Sequence, residues 1–571
     1  MEQKGLDFNF FIGMFLIFGL LMWFNFNQVP IESASTTNST KTPLSKTILK
    51  QEIENNSNSV FEEKINPSEK TFTLSNDKVD IKISNYGASI QEVIVNDYYT
   101  YDSLDLKLIK DLDFNFSFFI KDEILNTRSV FFDVVSQNKN KLSFNYTDPN
   151  GNQIIFLYEL PVDSYNLKLK VITENGDTYV EPNKFLFSQK INQLEKNLDN
   201  ERNTTTINYS FNNNSSKQMS LMKDVEKTIQ NPSWVAHKQQ FFSTIITSDN
   251  FFREALVKTK SPDSENYVKE LASEFLIEYD NTHNDYNFDF YFVPNKYSLL
   301  KSFDKGFETL VPLGWGIFGW VNKYLVIPMF NFLENQGLNY GIIILIIAVV
   351  IKLLLFLPTK SSYLSMAKMR VLKPEIDALN EKIKDPVQRQ QAQMNLYRKT
   401  GVNPLGGCLP LLFQMPVLIA LFRFFPASIE LRQQPFLWAD DLSTYDSILD
   451  FGFSIPLYGD HISLFALLMT FATVLQMMYS NQMSTNTQMP QMKYVMYFMP
   501  VIFLLVMNNY SSALSYYYFL ANIITFAQQA IIRRGIDDKQ LYTMLQENKK
   551  KPIQKSKFQQ KLEEMAKKQK R

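Results

Sequence analysis

The chain has 571 residues, too many for one ordinary domain, and its 58 basic residues balance its 58 acidic residues. A formal net charge of zero favours no particular class of partner. Cys408 is the single cysteine, which excludes a disulfide within the chain, and the three histidines are scattered. These facts argue against metalloenzyme chemistry, and we expect no cofactor.

The first apolar stretch extends from Phe8 to Phe24, with Lys4 in front of it. A cleaved signal peptide and an uncleaved anchor both begin in this way. Because no small-x-small cleavage site follows, we predict an uncleaved first span over residues 1–25. Residues 26–66 are rich in Ser, Thr, Asn and Lys, and this composition predicts a flexible linker.

Apolar and polar residues alternate along residues 79–83 and again along residues 288–292, which is the period of half-buried strands. Asp148-Pro149-Asn150-Gly151-Asn152 separates two such stretches and predicts a β-hairpin. Many short strands with turns of this kind predict a large β-sandwich over residues 67–303. The region contains no pattern of carboxylates or histidines that suggests catalysis, so we expect a structural or docking domain.

Most of the long apolar runs lie between residues 311 and 532. Residues 314–333 combine rings such as Trp315 and Trp320 with polar residues, which predicts an interfacial amphipathic helix rather than another crossing. Five later stretches read as helices that cross a bilayer core of about 30 Å. These second to sixth spans are residues 338–358, 406–425, 461–479, 494–507 and 513–532.

The connecting segments predict the topology through their charge. Residues 359–402 form a predicted helical hairpin with nine basic and four acidic residues, and the tail, residues 533–571, has thirteen basic and five acidic residues. Basic segments stay on the cytoplasmic side, so we expect the hairpin and the tail there. The β domain and the 426–460 loop then lie outside, and both chain ends lie in the cytoplasm.

Short motifs in the second half of the chain resemble those of one family. They are Ser365-Met366-Ala367-Lys368-Met369-Arg370, Leu372-Lys373-Pro374, Tyr397-Arg398-Lys399, the string from Asn403 to Pro416, Glu430-Leu431-Arg432, Phe498-Met499-Pro500, Tyr517-Tyr518 and Ile532-Arg533-Arg534-Gly535. In order and rough spacing they resemble the YidC-type membrane protein insertases of bacteria (YidC/Oxa/Alb family). The resemblance covers residues from about 234 to 535, whereas the first two hundred match only in layout. The family usually has an arginine where this chain has Lys352.

The resemblance implies a polytopic α-helical membrane protein of the bacterial inner membrane, with six spans and a five-helix core. It also implies a large extracytoplasmic all-β supersandwich domain between spans one and two, similar to sugar-mutarotase folds. The implied function is that of an insertase and chaperone, not an enzyme. It would move nascent membrane proteins from the cytoplasmic side into the bilayer through a hydrophilic groove, alone or with the Sec translocon.

Lys352 is the first candidate site residue, because it is the one charge inside the second span. It lies about six residues, or ~9 Å of helix rise, from the inner end of that span. Its side chain could snorkel to the cytoplasmic headgroups, or it could face a water-filled groove and attract acidic parts of a client. Polar residues of the other spans would line the groove or simply bond neighbouring helices: Gln414, Gln476, Tyr517, Tyr518, Asn522 and Gln528.

Two further sets of candidates lie on the cytoplasmic side. The hairpin set is Met366, Lys368, Met369, Arg370 and Lys373, and the tail set is Arg533, Arg534, Lys549, Lys550 and Lys551. A basic tail suits ribosomal RNA, through phosphate contacts, as well as anionic membrane lipids.

Two other classes of protein stay open at this point. A secondary transporter or channel could use Lys352 as a substrate site, but it predicts inverted repeats, and we see none among five core spans. An envelope glycan-binding or glycan-modifying protein would have its function in residues 67–303. Deletion of most of the β domain separates the classes, because an insertase should survive it and a glycan protein should not.

Overall fold

The computed structural model describes residues 69–550, except residues 121–122, 177–179, 213–214, 250–251, 262–266, 279–283, 404–408, 457 and 484–489. The predicted first span, nearly all of the linker and the tail beyond Lys550 lie outside the described residues. Cys408 and the beginning of the predicted third span also lie outside them.

Residues 69–294 are predominantly strands. They are β1 (Thr71–Ser75), β2 (Val79–Ser84), β3 (Ile90–Tyr99), β4 (Asp105–Ile109), β5 (Asp111–Ile120), β6 (Glu123–Asn126), β7 (Asp133–Gln137), β8 (Lys141–Thr147), β9 (Gln153–Glu159), β10 (Asn166–Glu174), β11 (Val180–Asn192), β12 (Thr206–Asn212), β13 (Ser215–Gln218), β14 (Val225–Gln230), β15 (Trp234–Lys238), β16 (Phe242–Ser248), β17 (Glu254–Lys260), β18 (Tyr267–Leu276) and β19 (Asp285–Pro294). Two short helices accompany them, α1 (Leu198–Thr204) and α2 (Tyr297–Ser302). The predicted β character of this region is confirmed.

The strands form antiparallel sheets. One sheet has nine strands in the order β13-β12-β15-β16-β19-β10-β9-β8-β7, a second has six in the order β14-β17-β18-β11-β5-β6, and a third is β1-β2-β3-β4. The predicted hairpin is confirmed, since β8 pairs with β9 and Thr147 faces Gln153 across the Asp-Pro-Asn-Gly-Asn turn.

Aromatic side chains join the two larger sheets. Phe116 of the six-stranded sheet lies 5.3 Å from Phe156 and 5.2 Å from Phe288, ring centroid to ring centroid, and both partners belong to the nine-stranded sheet. All three rings are buried. Such alternating inward-facing residues hold sheets face to face, and edge-to-face ring pairs add about 0.5–1.5 kcal/mol each.

The rest of the described chain is mainly helical. Its helices are α3 (Gly316–Val321), α4 (Ile327–Glu334), α5 (Tyr340–Leu354), α6 (Phe356–Val371), α7 (Lys373–Lys382), α8 (Pro386–Thr400), α9 (Leu409–Phe424), α10 (Leu464–Met483), α11 (Pro490–Met507), α12 (Ser512–Arg534) and α13 (Asp538–Lys550). A π-helical turn, Asn322–Val326, joins α3 to α4, and the 426–460 loop contains most of a hairpin of β20 (Leu449–Ile455) and β21 (Gly459–Ile462).

The predicted second span is not one straight helix. Helices α5 and α6 meet at Leu355 with a bend of 60°. Pro358 explains the bend, because its ring lacks the N–H that would bond the carbonyl of Leu354 and crowds that carbonyl instead. Among the described residues, only this bent pair, and no single helix, combines the length and apolar character that a membrane crossing needs.

The predicted hairpin, residues 359–402, contains three helices rather than two helical halves. The end of α6 and the start of α7 meet at Leu372, two residues before Pro374. Asp385 caps α8 by accepting hydrogen bonds from the amides of Val387 and Gln388, and Pro386 is the first residue of that helix.

Candidate functional site

Lys352 lies near the end of α5 with its ammonium group between three helices. The side chain is 4% exposed, and its Nζ donates to Thr525 Oγ1 of α12 at 2.7 Å and to Gln414 Oε1 of α9 at 3.0 Å. Gln528 Nε2 donates to the backbone carbonyl of Lys352 at 3.1 Å. The side chain therefore points into the helix bundle, which contradicts the snorkelling alternative. Both acceptors are uncharged, so hydrogen bonds hold the ammonium without neutralising its charge.

Helix α12 presents a stripe of polar residues to the bundle. From Ser511, the N-cap residue of the helix, polar residues recur at alternating intervals of four and three residues. This spacing places all of them on one face of the helix. The stripe consists of Ser511, Ser515, Tyr518, Asn522, Thr525 and Gln529. Asn522 Nδ2 donates to Thr473 Oγ1 of α10 at 2.7 Å, and Gln529 Nε2 donates to Tyr363 Oη of α6 at 2.9 Å. Polar contacts thus connect α12 to three of its neighbours around Lys352.

The predicted groove residues fall into two groups. Gln414 contacts Lys352 directly, and Asn522 lies one turn from Thr525 on the same face of α12. Both of these amides are half-buried, so the polar cluster reaches the surface while its charge stays inside. In the described part of the chain, Gln476 forms no hydrogen bond with this cluster.

Tyr517 and Tyr518 lie farther along α12, with Tyr518 about 10 Å of helix rise from Thr525. Both are buried; the ring of Tyr517 lies 5.9 Å from that of Phe425, and the ring of Tyr518 lies 5.9 Å from that of Phe503. The Tyr518 hydroxyl has no hydrogen-bond partner among the described residues. The structure does not bring these tyrosines to Lys352.

Sequence reasoning did not find Thr525, the residue nearest to the Lys352 charge. Threonine is neutral and common in helices, so its identity alone carries no signal. The four-and-three spacing of polar residues along an otherwise apolar span would have indicated the face on which it lies.

Helix α13 packs on the predicted hairpin, a contact that the sequence analysis did not anticipate. Leu545 is buried among Leu372, Ile376 and Leu396. The carboxylate of Glu375 accepts from Lys549 Nζ at 2.8 Å and from Gln546. Although partial burial opposes the effect, these donors lower the pKa of Glu375 below its ordinary value.

The hairpin and tail candidates accordingly differ in accessibility. Met366 is buried, Lys368 and Met369 are half-buried, and Lys373 is exposed. Arg370 Nη2 forms an ion pair with Asp538 Oδ1 at 2.6 Å. In the tail set, Lys549 pairs with Glu375 and Arg533 lies over the ring of Tyr479, whereas Arg534 and Lys550 are exposed and Lys551 lies outside the described residues.

A buried ion pair joins the β domain to the 426–460 loop. Arg432 Nε donates to Glu195 Oε1 at 2.8 Å, and Arg432 Nη2 donates to the backbone carbonyl of Tyr99 at 2.6 Å. Burial raises the pKa of Glu195 to about 7, against the attraction of Arg432. Burial also raises the pKa of Glu201, whose carboxylate accepts from the amides of Leu194 and Glu195. Arg432 of the Glu430-Leu431-Arg432 motif is therefore a docking contact.

Comparison with known proteins decides the family. Residues 71–328 match the family described as YidC periplasmic domain, and residues 332–540 match that described as 60Kd inner membrane protein. The membrane protein insertase YidC of Parabacteroides distasonis is 40% identical and covers 88% of this chain and 84% of its own length. That of Amoebophilus asiaticus is 38% identical, with 96% of each chain covered. The chain belongs to the YidC family of membrane protein insertases.

As a YidC family member, the chain is an inner membrane protein with a periplasmic domain that is mostly β-sheet and a helical C-terminal region. Its family consists of insertases rather than enzymes in the catalytic sense. A galactose mutarotase-like protein from Lactobacillus casei is 10% identical, with 39% of this chain and all of that chain covered, and a TM-score of 0.27.

Proposed function

We propose that this chain inserts nascent membrane proteins into the bilayer by receiving their polar segments at the Lys352 cluster, the contact of Lys352, Gln414 and Thr525. One observation carries the proposal: among the residues that the structure describes, neutral acceptors hold a buried ammonium between three helices. Because its charge is not neutralised, such a group can still attract an acidic side chain, a carboxyl terminus or a peptide carbonyl. Intramembrane charges usually face an interior or a cavity for functional reasons.

The half-buried amides beside Lys352 supply the second part of the mechanism. Moving an unbonded peptide group from water into hydrocarbon costs roughly 4–8 kcal/mol. Gln414, Asn522 and Gln528 offer donors and acceptors to such a group while it crosses. The apolar segment of the client then moves along the exposed apolar faces of α9 and α11 into lipid. The sequence contains no phosphate-binding loop, so the attraction and the hydrophobic effect drive the step.

The topology proposed with this mechanism has six spans, a five-helix core and both chain ends in the cytoplasm. The basic charge of residues 359–402 and of the tail supports it. The β domain, proposed to be a supersandwich, then lies in the periplasm, and α3 and α4 lie along the outer leaflet with Trp315, Trp320 and Tyr324 exposed. The apolar helical stretch Phe498–Met507 is short, which suits a locally thinned bilayer.

Photocrosslinking tests the groove. A photoreactive side chain at position 414 is expected to crosslink the polar leading segment of a ribosome-stalled client that has one span and an acidic outer tail. The matched control is position 413, because Phe413 is exposed on the next face of the same helix. That probe should crosslink the apolar segment or lipid. Crosslinking of the polar segment from 413 but not from 414 would contradict the proposed groove.

We also propose the Sec translocon and the ribosome as partners, with the tail as the ribosome contact. Truncation after Lys550 removes basic residues but keeps α13 on the hairpin, whereas truncation after Gly535 removes both. Both variants are expected to lose most ribosome cosedimentation at low salt, because phosphate contacts depend on the basic residues. Unchanged binding after truncation at Gly535 would refute the contact. If the truncations reduce binding to anionic vesicles but not to ribosomes, the tail is a lipid contact.

A further inference from the structure

The hairpin of β20 and β21 exposes apolar side chains along β20. Leu449 is 54% exposed and Phe453 63% exposed, and Ile448 and Ile455 are exposed as well. An antiparallel hairpin on a soluble protein ordinarily buries one face and places polar residues on the other. None of the seven residues of β20 is buried, and each Å² of apolar surface left in water costs about 25 cal/mol.

The hairpin is held rigidly beside the turn between α11 and α12. His461 Nε2 lies 2.8 Å from the backbone carbonyl of Asn508, and the side-chain amides of Asn508 and Asn509 donate to the carbonyl of Tyr458 at 3.0 and 2.8 Å. The ring of His461 stacks on Tyr445 at 3.7 Å. The exposed apolar side chains are therefore presented from a fixed base at one end of the helix bundle.

The apolar surface continues from the hairpin into the helix that follows it. Helix α10 begins at Leu464, separated by one residue from the end of β21, and turns Phe471, Leu475 and Met478 outward. In the proposed topology these side chains face lipid. Phenylalanine and leucine side chains, such as Phe453 and Leu449, are typical of segments whose apolar face is buried at the boundary between headgroups and acyl chains. The exposed side chains of the hairpin continue this lipid-facing surface. This continuity indicates that lipid, too, covers the hairpin.

We propose that residues 448–455 insert into the outer leaflet at the boundary between headgroups and acyl chains. At that depth water still satisfies the free backbone groups of the strands, which the hydrocarbon core would not. The inserted hairpin anchors the ends of α10, α11 and α12 beside the short apolar stretch of α11. This inference rests on the topology given under the proposed function, but not on the role of Lys352.

Fluorescence of the full chain in proteoliposomes tests the insertion. Cys408 is first replaced by serine, and an environment-sensitive dye is attached at Phe453→Cys. The control is Val162→Cys, an equally apolar site in the β domain that is 75% exposed. Dye at 453 should show a blue shift and lose emission when lipids carry a shallow quencher. Dye at 162 should show neither change.

A dye at Leu449→Cys provides a second reading in case one variant folds poorly. A blue shift at 453 and 449 without quenching by lipid would mean that a protein surface covers the hairpin, and it would overturn the proposal. No shift at either site would overturn it too. Quenching that persists while position 414 fails to crosslink a client would leave the hairpin inference standing and remove the proposed groove.

Discussion

Replacing Lys352 with glutamate is expected to reduce insertion of a client with an acidic outer tail at least tenfold. Two unit charges about 5 Å apart interact by roughly 3 kcal/mol at an effective dielectric constant of 20, and glutamate turns this attraction into repulsion. Lys352→Ala removes the attraction alone and should give a smaller loss. Insertion of a protease-protected client into proteoliposomes measures both effects.

Two further variants separate charge from packing at this site. Lys352→Arg keeps the charge and should retain most insertion, although a planar guanidinium fits two acceptors at 2.7 and 3.0 Å differently from an ammonium. Thr525→Val removes one acceptor with little change in volume, so it should impair insertion less than Lys352→Ala. If Lys352→Glu and Lys352→Ala both insert the client as well as the unaltered chain does, the electrostatic role is refuted.

The sequence correctly predicted the features that depend on neighbouring residues along the chain, namely strands and a tight turn. Period-two alternation predicted strands, and the Asp-Pro-Asn-Gly-Asn turn predicted the β8–β9 hairpin with its register. Lys352 was identifiable because a charge inside an apolar run is costly wherever the helix points. Its partner Thr525 was not, since the pairing depends on how α12 is rotated against α5.

The sequence did not predict the bend in the second span or the contacts between distant segments. The bend at Leu355 had a local cause, Pro358, yet the apolar run alone suggested one straight span. Helix α13 is mostly polar, and Leu545 becomes a core residue only where α7 and α8 supply its neighbours. The pair of Arg432 and Glu195 joins residues 237 positions apart, and no pattern in either segment indicates the other.

Replacing Arg432 with alanine is expected to destabilise the docking of the β domain on the 426–460 loop by about 3–5 kcal/mol. The substitution leaves Glu195 buried without its counter-charge and removes the donor to the Tyr99 carbonyl. The matched control is Lys196→Ala at the same junction, because Lys196 is exposed; it contributes a cation–π contact with Tyr445, worth roughly 0.5–1 kcal/mol, and an attraction for the exposed Asp460. Thermal unfolding and hydrogen exchange of residues 190–201 measure the difference.

The pH dependence of this variant follows from the carboxyl groups. The pKa of Glu195 rises from its ordinary 4.5 to about 7 in the folded chain, so the folded state keeps a proton that the unfolded state releases. The stability that this group contributes is therefore complete below its unfolded pKa and is lost as pH rises through about 7. Glu201 acts in the same direction, because burial raises its pKa too.

Arg432 limits the loss of stability at high pH, because its positive charge favours the ionised form of Glu195. Without it the pKa of Glu195 rises further, and ionisation at high pH places an unpaired carboxylate in the buried junction. The stability gap between the unaltered chain and Arg432→Ala should therefore widen between about pH 6 and about pH 8, while Lys196→Ala stays parallel to the unaltered chain. A gap that is equal at both pH values would show that Arg432 acts through packing and backbone hydrogen bonds alone.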